Sequence, residues 1–351
     1  MAPNIKRVFY VNHVSAPIFL EMLAQRPDIQ VDKLVNDSPA DEVEPVLARA
    51  HAYQISSARQ ELARKFHGTT ALLERMPNIV VLSTTGAGYD TVNLEDCTRA
   101  GVAAVNQAGG NKEGVAEHVM AMMLSLSKRL MLADHSMRSG EQLPRREFMG
   151  DDVVGRTIGI IGLGNVGSRV AELCRGLFRM RVLAYDPYLT AEMVAARGAE
   201  KMEVLDDLLR QADYVSINCP HTSETRGMIG ARQYALMQPH AYFITTARGG
   251  IHDEAALADA LRAGQIAGAG LDVWEDEPPP TDHPLLKFDN VLVSPHIAGI
   301  TRQSRHNIAK IAAEQLMGVL DGKRPPRLLN PEVWPAYCDR FERIMGFRPE
   351  Q

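Results

Sequence analysis

The stretch from Thr157 to Asp186 narrows the choice of fold more than any other. It opens T-I-G-I-I-G-L-G-N-V-G-S and closes R-V-L-A-Y-D. Ile158, Ile160 and Ile161 form a short β-branched run of the kind found in a strand buried on both faces. Gly162, Gly164 and Gly167 follow as G-x-G-x-x-G. The first glycine permits a tight turn, the second lets a pyrophosphate approach the backbone, and the third lets a helix pack closely on the strand. The spacing predicts a helix over Val166–Phe178, whose N-terminal N–H groups and positive dipole end would face those phosphates. Arg181–Tyr185 reads as the next strand. Asp186 ends it, 19 residues past Gly167. A carboxylate there accepts hydrogen bonds from an adenosine ribose and repels a 2′-phosphate. Because Pro187 and Tyr188 follow it rather than a basic residue, NAD is expected over NADP. A lone G-x-G-x-x-G fits many tight turns. Strand, glycines, helix, second strand and terminal acid in one run point to a dinucleotide site.

The rest of the chain gives that unit its surroundings. Its 351 residues allow two or three domains with ample core. A net charge of −5 supplies no field to gather nucleic acid or an anionic membrane. The four cysteines, Cys97, Cys174, Cys219 and Cys338, include no C-x-x-C, so neither a disulfide framework nor a metal site is expected. No charged segment leads into an apolar leader, and a reducing cytoplasm is the expected location.

Residues before about 106 alternate short apolar runs with amphipathic stretches. Strands are expected at Arg7–Val11, Val31–Val35, Tyr53–Ser56, Val80–Ser83 and Val102–Val105, with helices at Ile18–Gln25 and Asp41–Arg49, which makes a first parallel α/β unit. Ser83–Asp90 follows a strand and carries Gly86 and Gly88. An anion-facing loop and a plain βα turn both fit it. Asn106–Asn111 reads as a crossover between domains. Gly114–Arg138 reads as one long apolar helix buried on several sides, its methionines serving a core or a subunit interface and His118 a packed or surface position. Beyond Asp186, strands are expected at Tyr214–Cys219, Tyr242–Thr245, Ala267–Val273 and Val291–Ser294. Thr301–Leu320 reads as an amphipathic helix, and the tail after Pro325 as irregular chain packed on the first domain.

In open α/β sheets ligands bind beyond the C-terminal ends of the strands. Arg248, Glu277 and His296 stand at or just after such ends, 29 and 19 residues apart. Singly, each has an ordinary explanation as a surface ion pair, a loop acid or a strand cap. Beside a nicotinamide, the three suggest a division of labour. A guanidinium forks a carboxylate. An imidazole exchanges an alcohol proton near neutral pH. A carboxylate hydrogen-bonded to an imidazole fixes its orientation and favours its protonated form.

With these residues in place, the chain resembles the D-isomer-specific 2-hydroxyacid dehydrogenase family over nearly its whole length. The likeness rests on Gly162-Leu-Gly-Asn-Val-Gly167, Thr246-Ala-Arg-Gly-Gly250, Asp272-Val-Trp-Glu-Asp-Glu-Pro278 and Ser294-Pro-His-Ile-Ala-Gly299. The resemblance implies two Rossmann-like α/β domains, the cofactor domain (residues 107–296) being inserted into a discontinuous substrate domain (1–106 and 297–351). It implies Arg248 as the substrate-carboxylate arginine, His296 as proton donor and acceptor, and Glu277 as its partner. Asn165 and Val166 would offer backbone to the pyrophosphate, and Thr246 and Asp272 would flank the nicotinamide. Pro220, Ala247, Arg248, His296 and Gly299 complete the implied cofactor set. Gly86, Ala87 and Gly88 would join Arg248 and His296 at the substrate. Family subunits pair as homodimers through the long helix that begins here near Gly114.

Some positions depart from the family pattern. Asn218 and His221 stand where histidine and leucine are common, and Gly114 replaces a common serine. Ser56–Arg59 lacks an arginine where phosphoglycerate dehydrogenases meet their substrate phosphate, so an unphosphorylated acid is expected. Glu277, where formate dehydrogenases carry glutamine, argues against that activity. The expected function is therefore NAD-dependent hydride transfer between a D-2-hydroxy acid and its 2-keto acid. An NAD(H)-sensing corepressor-like protein and oxidation of a phosphite-type hydride donor are the alternatives on the same scaffold.

Overall fold

The computed structural model describes residues 5–350. The chain divides into two compact units. One combines the residues up to Asn111 with those from Thr301 onward, and the other is Lys112–Ile300.

The first unit opens with five strands, β1 (Lys6–Val11), β2 (Ile29–Leu34), β3 (Ala52–Ile55), β4 (Val81–Thr84) and β5 (Ala103–Val105). They form a parallel sheet in the order β2-β1-β3-β4-β5. Helices α1 (Ile18–Ala24), α2 (Ala40–Arg49), α3 (Thr70–Leu73) and α4 (Leu94–Arg99) connect them. Residues of β3, β4 and β5 are buried throughout, the polar Gln54, Ser83 and Thr84 included.

The second unit begins with helices α5 (Lys112–Ser127) and α6 (Leu130–Ser139). Then come β6 (Thr157–Ile161), α7 (Asn165–Phe178), β7 (Arg181–Tyr185), α8 (Ala191–Ala196), β8 (Glu200–Lys201), α9 (Leu205–Gln211) and β9 (Tyr214–Ile217). It ends with α10 (Ala231–Tyr234), β10 (Tyr242–Thr245), α11 (Glu254–Arg262), β11 (Gly268–Leu271) and β12 (Val291–Val293). All seven strands are parallel, in the order β12-β11-β10-β9-β6-β7-β8. The order reverses beside β6, so the glycine turn that follows β6 lies at the switch point where such sheets take ligands. One core cluster gathers Leu208, Phe243, Leu257 and Trp274, and another Met120, Met123, Val170 and Cys174.

The chain returns to the first unit as α12 (Arg302–Leu320) and α13 (Trp334–Met345). Leu316, Tyr337 and Phe341 from these helices share a core cluster with Val8 and Val81.

The structure corrects the sequence expectations at four places. The tail is a helix, α13, with Pro335 in its first turn, where proline is tolerated. The long helix is two helices: Arg129 takes φ 51° between them. The break is held by the Ser127 hydroxyl, which donates to the Met123 carbonyl at 2.7 Å and meets the Tyr214 hydroxyl at 2.8 Å. A two-residue edge strand, β8, was not anticipated. The units divide a few residues later than 106/107 and 296/297. At the first division Gln107 explains the shift: its side chain accepts from the Gly86 N–H and donates to the Ser83 hydroxyl, both at 2.9 Å, tying the segment to the first sheet. At the second, the Asp272 carboxylate holds the N–H groups of Ile297 and Ala298 within the second unit.

Candidate active site

The dinucleotide turn is built as its glycines require. Gly162 takes φ +87°, and a Cβ there would lie 2.7 Å from the Cys219 nitrogen. A Cβ on Gly167 would lie 2.1 Å from the Gly162 carbonyl oxygen, so the helix sits as close to the turn as glycine allows. Gly164 is the N-cap of α7, and no side chain caps the helix there. A Cβ on Gly164 would meet only open space. The N–H groups around Asn165 and Val166 therefore open a 14-residue helix beside an unfilled cradle, which fits a pyrophosphate. Asp186 closes the turn: its carboxylate accepts from the Leu163 N–H at 3.0 Å and the Tyr188 N–H at 3.1 Å. Asn218, after β9, spends its amide N–H groups on the Ser216 carbonyl and hydroxyl at 3.2 and 3.0 Å.

Further along the sheet, the segments after β10, β11 and β12 carry Arg248, Glu277 and His296. The structure brings the last two together: His296 Nδ1 lies 2.8 Å from Glu277 Oε2. The other Glu277 oxygen accepts from the Trp274 N–H at 3.2 Å. Burial pushes the Glu277 carboxyl up. The His296 hydrogen bond and charge, the Trp274 N–H and the nearby Arg248 charge outweigh it, and the net shift is downward. Glu277 is therefore held as a carboxylate, with Arg248 close enough to contribute. The Arg248 guanidinium donates to the Ala247 carbonyl at 2.7 Å, which pins one end of its fork beside the strand end, next to buried Thr246.

His296 itself takes φ 55°, in the left-handed region. A non-glycine residue is held there only when its neighbours over-determine it. Here the fully buried Asp272 does so. Its carboxylate accepts from the Ile297 N–H at 2.8 Å, the Ala298 N–H at 2.9 Å and the Ser294 hydroxyl at 2.6 Å. Its backbone carbonyl takes the His296 N–H at 2.7 Å. The Asp272 carboxylate thus holds the turn that aims His296. Gly299 belongs to the end of that turn, which the Ile300 N–H closes on the Ile297 carbonyl at 2.8 Å. Pro220 starts the turn after β9, its carbonyl taking the Thr225 hydroxyl at 2.7 Å.

Three residues given no role at the site from the sequence serve this region. Ser294 links Asp272 to His118, whose Nε2 lies 3.0 Å from the Ser294 hydroxyl. His118 is thus a packed histidine. Trp274 donates its indole N–H to the Ser294 carbonyl at 3.1 Å. No local pattern announces these links, which join residues about twenty or more positions apart.

In the first unit, the Gly86 N–H is committed to Gln107, and the Ala87 carbonyl accepts from Asn106 at 2.8 Å. Of the Gly86–Gly88 segment, the Gly86 N–H is therefore already engaged by the protein. Arg59 donates to the Asp90 carbonyl at 2.8 Å, and Ser57 to the Thr85 carbonyl at 2.6 Å.

Comparison with known proteins gives the family. Residues 120–298 match a family model described as the D-isomer specific 2-hydroxyacid dehydrogenase, NAD binding domain. The chain is 36% identical over 334 residues to a glyoxylate reductase of Aeropyrum pernix, covering 93% of this chain and 96% of that protein. It is 39% identical over 277 residues to a D-3-phosphoglycerate dehydrogenase of Archaeoglobus fulgidus, covering 79% of this chain and 51% of that protein. The chain therefore spans about half the length of that relative. Among solved structures, a D-lactate dehydrogenase from Aquifex aeolicus complexed with NAD and lactic acid aligns with a TM-score of 0.75 and 29% identity, covering 90% of this chain and 96% of that one. The chain belongs to the D-isomer specific 2-hydroxyacid dehydrogenase family, and its second unit carries that family's NAD binding domain.

Proposed function

We propose that this protein interconverts a D-2-hydroxy acid and its 2-keto acid with NAD(H), and that its substrate carries no phosphate. The observation that carries the reading is the 2.8 Å His296–Glu277 contact, made where strands of the NAD binding unit end and with the Arg248 charge beside it. Glu277 occupies Nδ1 of the imidazole, so Nε2 is the ring nitrogen that meets a substrate oxygen. In the reductive direction His296 gives its proton to the carbonyl oxygen, and in the oxidative direction it takes the alcohol proton. Arg248 forks the substrate carboxylate and fixes which face of the carbon is presented. The bound nicotinamide supplies or accepts the hydride. The unphosphorylated substrate rests on the Ser56–Arg59 segment, which lacks an arginine at the position where phosphoglycerate dehydrogenases meet their substrate phosphate.

The test is NADH consumption over glyoxylate, hydroxypyruvate, pyruvate, phenylpyruvate and phosphohydroxypyruvate, with NADPH in parallel. Turnover of an unphosphorylated acid, faster with NADH, is the expected result. No turnover on any acid would end the dehydrogenase reading, and preference for the phosphorylated acid would end the narrower one.

We also propose a homodimer, with the pairing surface on α6 and the segment after it. Helix α5 is largely buried inside its own unit, whereas Met137 is 84% and Met149 74% exposed. Sedimentation should give a dimer that Met137→Lys with Met149→Lys converts to monomer; a monomeric wild type would refute it. Three of the four free cysteines are buried, consistent with a reducing cytoplasm, where we place the protein. No helix of the described residues is long and apolar enough to cross a membrane.

A further inference from the structure

The proton-transfer pair rests on a second, buried acid–histidine pair. Glu254 is the first residue of α11, and only 8% of it is exposed. A carboxylate in a helix's first turn is favoured by the dipole, but this one reaches out of its helix. One oxygen accepts from the Glu275 N–H at 2.7 Å, and the other lies 3.0 Å from His283 Nε2. The opposite ring nitrogen of His283 accepts from the Leu285 N–H at 3.3 Å. Nδ1 is therefore the acceptor, and Nε2 carries the proton toward Glu254. A single carboxylate thus fastens both ends of the 275–283 loop, and Glu277 lies within that loop.

Trp274 passes the constraint on. Its indole stands edge-on to the His283 ring, with centroids 5.5 Å apart and planes at 78°. Its indole N–H holds the Ser294 carbonyl, two residues before His296, and its backbone N–H holds Glu277. Its carbonyl packs against Gly249, where a Cβ would lie 1.9 Å from that oxygen, so the segment bearing Arg248 is seated on the same residue.

We propose that Glu254 and His283 are positioning residues for the reaction, holding Trp274 and the 275–283 loop so that Glu277 stays on His296. The inference rests on the dehydrogenase reading above. A displacement of about 1 Å in positioned groups can cost on the order of 100-fold in rate. Glu254→Gln offers one acceptor where two donors arrive, and the amide N–H groups add a donor facing a donor. His283→Leu removes the donor while keeping bulk. His283→Gln restores an N–H near the position of Nε2.

The experiment measures kcat, KM and NADH affinity for these three variants. In parallel, ¹⁵N NMR of the His296 imidazole, assigned by its loss in His296→Ala, reports which ring nitrogen carries the proton. The expected result is kcat lower by roughly 10- to 100-fold in Glu254→Gln and His283→Leu. NADH affinity should stay within about threefold, since the glycine turn is untouched, and KM should rise less than kcat falls. The Nδ1-protonated signature of His296 should give way to mixed tautomers in both variants, and His283→Gln should recover most of the rate and the signature. Variants with lower melting temperature but wild-type kcat and an unchanged His296 signature would overturn the proposal, leaving Glu254 a packing residue of α11. If the wild type turns over no acid, the functional reading fails by itself. The NMR signature then decides the positioning claim, and an unchanged spectrum in His283→Leu rejects it. Should Glu254→Gln not fold, the His283 pair carries the same test.

Discussion

His296 and Arg248 serve different parts of the proposed reaction, so their removal should register in different constants. His296 is aimed by the Asp272 turn and oriented by Glu277. It moves a proton only as the transition state forms. His296→Ala should therefore lower kcat by about 10²- to 10⁴-fold and leave NADH affinity unchanged. Arg248 binds a charge present in both ground and transition states, so Arg248→Ala should act first on the KM for the keto acid. Steady-state kinetics with NADH binding measured by fluorescence separates the two. Near-normal turnover in His296→Ala would refute the assignment. These residues were legible because their type and their place after a strand are both local properties. Asp272, Ser294 and Trp274 were not legible in these roles. Their partners lie in other loops, and only the fold decides that a buried carboxylate meets three donors of the 294–298 turn.

The elements were readable where burial imposes a period and unreadable where a single contact breaks one. β7 and β10 have the bounds expected from their apolar runs. The α13 signal was present but outvoted. Tyr337, Phe341 and Met345 recur every four residues on the buried face, while Pro331 and Pro335 suggested coil. The α5–α6 break has no such signal, because neither glycine nor proline stands at it. Gly150 packs on it from outside, where a Cβ would lie 2.2 Å from the Ser127 carbonyl oxygen. The Asp151 N–H, one residue on, takes that same oxygen at 2.9 Å. Gly150→Ala should therefore force the backbones apart and destabilise the second unit by ~1–3 kcal/mol. Urea unfolding followed by Trp274 fluorescence measures it. A variant as stable as wild type would show that the break does not depend on this contact.

Across the whole molecule, a buried imidazole in the second unit and a carboxylate network in the first should lose their contributions to stability in separate pH windows. In the second unit His252 is 2% exposed, with Nδ1 3.0 Å from the Tyr234 hydroxyl and no partner at Nε2 among the described residues. Burial pushes its pKa down to about 4, against the pull of neighbouring Asp253. The unfolded chain binds this proton near pH 6.5 and the folded unit does not. The stabilising difference is fully present above about 6.5, drains as pH falls, and is gone near 4. The loss amounts to roughly 3 kcal/mol. In the first unit Arg26 bridges Asp28 and Asp321, with Lys6 bonded to both acids. The Arg26 hydrogen bond is the main cause holding Asp321 down to about 2, and it holds Asp28 lower still. That contribution is present above the ordinary aspartate range near 4 and is lost only as pH falls below it. These side chains are partly exposed, so it is worth about 1 kcal/mol. The chain's two tryptophans, Trp274 and Trp334, fall one in each unit, and fluorescence can follow the units separately. In a Trp334→Phe background, the urea midpoint seen by Trp274 should decline from pH 6.5 to pH 4. In a Trp274→Phe background, the midpoint seen by Trp334 should keep the contribution of the Arg26 network until the pH passes below 4. His252→Leu leaves the Tyr234 hydroxyl without its partner, so it lowers the first midpoint at pH 7, yet it should flatten the decline below that. Arg26→Ala should lower the second midpoint at pH 7 and lose its difference from wild type as both approach pH 2. A Trp274 midpoint that stays level from pH 7 to pH 4, or a His252→Leu curve parallel to wild type, would mean that the buried imidazole does not set the acid response of the NAD binding unit.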